Sequence, residues 1–201
     1  VAVSRTSHQG FTLIELMVTI AIAAILLTIG VPSLTSFFDR QKVVAAAEEA
    51  YSFMQLAKIE ALSRSVDIYV NVEDGINSWS YGMSTSEDCD SEQTVATASD
   101  ACILPFGDED IASEVTFQLV RKDNSTHEGI RLTSYLDGAT YEGTTKFDYT
   151  RGMHEKDDSD VPTQREFRFN YKDMNLSVII SKLGRIKICS SDGSVGNYEA
   201  C

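Results

Sequence analysis

Glu15 stands alone in an apolar run. From Phe11 to Val31 it is the one ionisable side chain. A carboxylate out of water is costly unless a counter-charge or hydrogen-bond donors meet it. Cleavage after Gly10 would put a positive α-amino group on Phe11, four residues before Glu15. One cut would thus generate the missing partner, within the chain or on a neighbouring copy. An ordinary secretory signal carries its charges before the apolar stretch and its small-residue cleavage site after it. Here the glycine precedes the apolar stretch, so the pattern is of another kind.

Other reactive residues are sparse. His8 lies ahead of Gly10, and His127 and His154 fall in polar stretches that read as solvated loops. No G-x-S-x-G, P-loop, H-E-x-x-H or CxxC pattern occurs, so the chain does not read as an enzyme, and no cofactor is expected. Asp108-Glu109-Asp110 and Asp157-Asp158-Ser159-Asp160 offer oxygen ligands for calcium, but neither has EF-hand spacing. Acidic runs are commonly solvated faces, and no metal site is assigned. The cysteines fall in two close pairs, Cys89 with Cys102 and Cys189 with Cys201. Four cysteines allow three pairings; the local one, 89–102 and 189–201, is favoured. A zinc site would want CxxC spacing and a nearby histidine. Disulfides imply an oxidising compartment, and each closure is worth about 3 kcal/mol in the chain-entropy account.

The elements that position these residues follow from periodicity. Residues 11–31 as a helix span about 32 Å at 1.5 Å per residue, the thickness of a hydrocarbon core. Gly30 and Pro32 close the run, and Pro32 predicts a kink or an unwound turn. Residues 32–64 continue as an amphipathic helix. Val43, Ala47, Ala50, Met54, Ala57 and Ala61 recur at helical spacing, a stripe fit to pack on a sheet.

Beyond Arg64 the period changes to two. Ile68/Val70/Val72, Val115/Phe117/Leu119, Phe167/Phe169/Tyr171 and Leu176/Val178/Ile180 alternate, with Phe147/Tyr149 and Ile186/Ile188 as shorter strands. Lys172-Asp173 and Ser181–Gly184 read as hairpin turns, and Pro105-Phe106-Gly107 as a turn in a polar acidic stretch. The fold class is therefore α+β. A long N-terminal helix, membrane-spanning in its first half, packs on a C-terminal antiparallel β-sheet head over 65–201.

Net charge is −13, which disfavours nucleic acid and anionic lipid as partners of the whole molecule. The charge is uneven. Residues 87–114 hold nine acids and no base, whereas 165–189 hold six bases and two acids, so a local basic face is expected.

Gly10-Phe11-Thr12-Leu13-Ile14-Glu15, joined to its apolar run, resembles the class III signal of type IV pilins and type II secretion pseudopilins. The resemblance implies that residues 1–10 are a leader, removed by prepilin peptidase between Gly10 and Phe11. It further implies that Phe11 is then N-methylated and that Glu15 guides the subunit into register on a growing filament. Phe147-Asp148-Tyr149-Thr150-Arg151-Gly152 and Gly184-Arg185-Ile186-Lys187 are similar to the "F-D-x-x-G" and "G-R-x-R/K" elements of the GspH/FimT/FimU group. That group implies a pilin-like fold and a minor pilin or minor pseudopilin. Such a subunit sits in the inner membrane as a single pass with a periplasmic head. It then passes through the assembly platform into a pilus or pseudopilus beside other pilins, at the tip. Initiating or capping a type IV pilus is the role implied, with a type II secretion pseudopilus as the alternative. In the FimT branch the G-R-x-R element is linked to DNA, which makes Arg185 and Lys187, with Lys182 in the preceding turn, candidate phosphate contacts. Residues 185 and 187 share one face of a strand. Lysine at 187 neutralises a phosphate but lacks the bidentate fork of arginine.

Overall fold

The computed structural model describes residues 11–76, 78–106, 116–141, 143–152, 154–155, 163–193 and 195–201. At 29–33 and 154–155 only the backbone is described. The leader 1–10, Val115, Gly107 and the acidic runs 108–110 and 157–160 lie outside these residues.

One helix, α1, runs Leu13–Arg64. The chain divides into two compact units, one ending at Asp39 and one running from Arg40 to Cys201. In the first unit the large apolar side chains stand in the open: Phe11, Leu13, Ile14, Ile20, Ile25, Leu26, Leu27, Phe37 and Phe38 are all exposed. Against the expectation of a membrane-length segment at 11–31, no helix among the described residues is long and apolar enough to cross a membrane. The described side chains of that segment stop at residue 28. The helix also continues through residue 32, so the unwound turn expected at Pro32 is absent.

In the second unit, the expected stripe of α1 is buried: Val43, Ala47, Ala50, Met54, Ala57 and Ala61 are 0–1 % exposed. Ala46 and Phe53 are buried as well, and both lie on the same side of the predicted line, so the stripe widens on that side. Alanine is the best helix former and brings a helix axis close to its neighbour, so propensity and packing agree here. Ser65 takes positive φ (56°) after the last turn and ends the helix. The Arg64 guanidinium donates to the Pro105 carbonyl and stacks over Phe106, 5.0 Å from the ring centre.

The strands are β1 (Ile68–Glu73), β2 (Ser80–Ser84), β3 (Ile103–Phe106), β4 (Thr116–Leu119), β5 (Arg121–Asp123), β6 (Arg131–Leu136), β7 (Ala139–Thr140), β8 (Thr145–Phe147), β9 (His154–Glu155), β10 (Arg165–Tyr171), β11 (Met174–Ile180) and β12 (Ile186–Cys189). They form sheets of order β5-β2-β1-β8-β9 and β12-β11-β10-β6-β7, with β3-β4 as a separate ribbon. All strand pairings given for them are antiparallel. A two-way bridge between Gly75 and Leu132 stitches the two large sheets together. The core joins the helix stripe to Ile68, Val70 and Trp79 of one sheet side and to Leu132, Phe167, Phe169, Leu176, Val178 and Ile180 of the other.

Three readings need correction. Pro105 and Phe106 lie in β3, paired with Phe117 and Thr116, rather than in a turn. Proline is tolerated there because the ribbon has only two strands. Phe117 alternates as predicted but is 58 % exposed, because among the described residues no further layer covers the β4 side of that ribbon. Tyr149, expected on a strand, follows β8 in a turn and is exposed.

Candidate functional site

The amino-terminal site is built by the first turn of α1. Four N–H groups at a helix start have no partner inside the helix. Here the Thr12 hydroxyl accepts from the Glu15 N–H at 3.3 Å, and Glu15 Oε2 accepts from the Thr12 N–H at 3.0 Å. The Thr12 hydroxyl also donates to the same carboxylate oxygen at 3.0 Å. This is a reciprocal capping box, and the T-x-x-E spacing of Thr12 and Glu15 is its signature in the sequence. It turns the carboxylate back toward the start of the helix, the end at which Phe11 lies. Around it Phe11, Leu13, Ile14, Leu16 and Met17 are exposed. The arrangement presents an apolar surface with one anionic mark on it.

The basic hairpin is built by Gly184. Its φ of +71° closes the turn between β11 and β12, and its N–H donates to the Ser181 carbonyl at 2.8 Å. Its own carbonyl accepts from Lys58 Nζ of α1 at 2.9 Å, which docks the turn on the helix. Ile186 turns inward and is 7 % exposed, while Arg185 and Lys187 on either side are exposed. Neither has an ion-pair partner among the described residues. Lys182 is different: its ammonium lies 3.6 Å from Asp137 Oδ1. The structure therefore places Arg185 and Lys187 together and leaves Lys182 in a surface ion pair. A cavity of about 440 Å³ opens beside them, lined also by Gln164, Ile179, Ser181 and Glu199.

Residues 5–31 match the family described as the prokaryotic N-terminal methylation motif. The chain carries a prepilin-type methylation motif. The match bears out the resemblance read from Gly10 to Glu15. No curated protein matches the chain. Two crystal structures of the type IV minor pilin FimU of Pseudomonas aeruginosa (strain PAO1) are similar to it. One, in space group P21, is 22 % identical with a TM-score of 0.43, covering 78 % of this chain and 94 % of that one. The other, in space group P65, is 23 % identical with a TM-score of 0.39, covering 74 % and 93 %.

The remaining groups of interest behind this motif serve the head. Cys89 bonds Cys102 (S–S 2.08 Å) and Cys189 bonds Cys201 (S–S 2.16 Å), and among the described residues no cysteine is free. Gly82 of β2 passes directly under the first bridge, where a Cβ would fall 2.6 Å from Cys102 Cβ and Sγ. His127 is not solvated, contrary to its reading as a loop histidine. Its ring lies parallel to Trp79, 6.1 Å between centres, and Nε2 is 2.8 Å from Glu49 of α1. Burial works to raise the Glu49 pKa, but the bonds from Lys122 and His127 outweigh it and hold it below the ordinary value. His154 falls in β9, with its side chain outside the described residues. No group of acidic, cysteine or histidine side chains that could hold a metal occurs among the described residues.

The "F-D-x-x-G" element proves to be a backbone knot. Asp148 accepts from the Thr150 and Arg151 N–H groups at 3.1 and 3.0 Å, and from the Thr150 hydroxyl at 2.8 Å. Burial alone would raise its pKa, but these donors outweigh it and hold the carboxyl below the ordinary aspartate value. Gly152, φ +61°, then presses on α1: a Cβ there would meet Lys58 Cε at 2.8 Å and Leu62 Cδ1 at 3.3 Å.

Proposed function

We propose that this chain is a minor pilin, a structural subunit of a type IV pilus of the FimU/FimT kind. Prepilin peptidase cuts it between Gly10 and Phe11 and methylates Phe11. The segment 11–31 holds it in the inner membrane with the head in the periplasm until it passes to the filament. There the same segment packs against other pilins, and Glu15 answers a terminal amine. One observation carries the reading: the methylation motif at 5–31 coincides with a helix that leaves its large apolar side chains exposed around a single acid. Exposed apolar area of that extent marks a surface meant for lipid or protein. Initiating or capping the filament is the role favoured, because the head is hardened by two disulfides.

Mass spectrometry of the mature chain tests the processing step. N-methylated phenylalanine at position 11 is the expected terminus, and an intact leader in cells with active peptidase sinks the proposal. Glu15→Ala should leave cleavage intact and impair incorporation into pili. Co-purification with pilus subunits, rather than with type II secretion subunits, separates the favoured assembly from its alternative.

A further inference from the structure

Two groups of exposed charged side chains in the head, opposite in sign, make no ion pair among the described residues. Arg185, just before β12, and Lys187 within it flank the inward Ile186 and are free of ion pairs among the described residues. On the disulfide loop, Asp88, Asp90 and Glu92 are exposed, and none of them makes an ion pair among the described residues. Each group stands beside a disulfide. Cys201 lines the cavity next to Arg185 and Lys187, and Cys89 lines an acidic cavity of about 410 Å³ with Asp88 and Asp90. The acidic loop is further fixed by the Asp90 N–H donating to the Asp100 carbonyl at 2.7 Å. Loops held in one shape lose little entropy on docking. Within one chain the two groups do not meet. The acids flank β1 in one sheet, and the bases lie on the far edge of the other, beyond β11, β10 and β6.

We propose that the Arg185–Lys187 face of one head receives the Asp88–Glu92 loop of a second copy of this chain. The cavity suits a protein surface better than a nucleic acid. Ile179 supplies it with an apolar floor. Two cations alone would give nucleic acid a salt slope of only about −2. Net charge of −13 opposes contact at long range, but physiological salt screens that repulsion beyond about 8 Å. Because the contacting surfaces differ, the contact is heterologous: it joins two copies head to tail and leaves one surface of each kind open.

The test uses the full chain in its own membrane. A photo-crosslinking residue replaces Gln164, a neutral wall residue, in one of two differently tagged copies. A crosslink between copies into the Asp88–Glu92 loop is expected. Arg185→Glu with Lys187→Glu should lower its yield about tenfold or more, since like charges face to face cost several kcal/mol. Adding Asp88→Lys and Asp90→Lys to the second copy should restore the yield, and that restoration also shows that the reversed chain folds. Crosslinks to a different protein or to nucleic acid, crosslinks confined to one copy, the absence of any crosslink, or a yield indifferent to the charge reversals would each overturn the proposal. Scoring the crosslink in cells without prepilin peptidase keeps this outcome separate from that of the pilin reading.

Discussion

The two parts of α1 treat apolar residues in opposite ways. Before Asp39 they are large, mostly leucine and isoleucine, and exposed; after Arg40 the buried ones are mainly alanine. Large side chains in the open gain nothing until lipid or another chain covers them. Small ones under a sheet are already in use, since they let backbone approach backbone. Residue size along one helix thus separates a surface kept for a later partner from one consumed in folding.

This contrast can be broken by substitution, with denaturation of the full chain in detergent as the common readout. The largest effect is expected for Phe169→Ala, which should destabilise the head by about 3–5 kcal/mol, as fully buried phenylalanines do. Leu26→Ala, also a loss of apolar bulk but on the exposed part, should leave head stability unchanged. Equal losses would erase the distinction. Next, replacing Cys89 and Cys102 together by serine should cost about 3 kcal/mol, a loss absent when the parent is assayed already reduced. Ala57→Leu should cost about 1–3 kcal/mol by overpacking, whereas Ala24→Leu in the exposed part should cost nothing measurable. The smallest effect is expected for Asp148→Asn, about 1 kcal/mol near neutral pH. Because the folded pKa of Asp148 is depressed, its contribution is present above the unfolded value and lost as pH falls through the folded one. Parent and variant should therefore converge below about pH 4. A difference that persists in acid would mean that the carboxylate's charge is irrelevant to the knot.

The sequence revealed most where one physical signal dominated. Helical spacing located the buried stripe from Val43 to Ala61, and strict alternation located β1, β10 and β11. It failed where tertiary context overrode local pattern. Phe117 alternates like a core residue but belongs to a ribbon whose β4 side none of the described residues covers. Pro105 looks like a turn residue, yet a two-stranded ribbon tolerates its missing N–H. His127 sits in a polar stretch, and only the fold brings Trp79 and Glu49 to it. At the amino terminus, the apolar run and its acid were plain. The T-x-x-E spacing of Thr12 and Glu15 is equally plain, and it marks a helix start whose hydrogen bonds are local and independent of any charge partner. The pairing of Lys182 with Asp137 depends on contact between two turns distant in sequence, which no local pattern announces.

Lys58 and its neighbour Leu62 receive both elements that drew the resemblance in the head. The Gly184 carbonyl is held by the Lys58 ammonium, and Gly152 lies against Lys58 and Leu62. Two loops far apart in sequence thus lean on one turn of α1. Replacements at 58, 152 and 184 should be epistatic: once Lys58 has changed, a second change at either glycine should cost a different amount than it does alone. Drift at that turn is therefore constrained from two directions, and the three positions should change together or stay fixed.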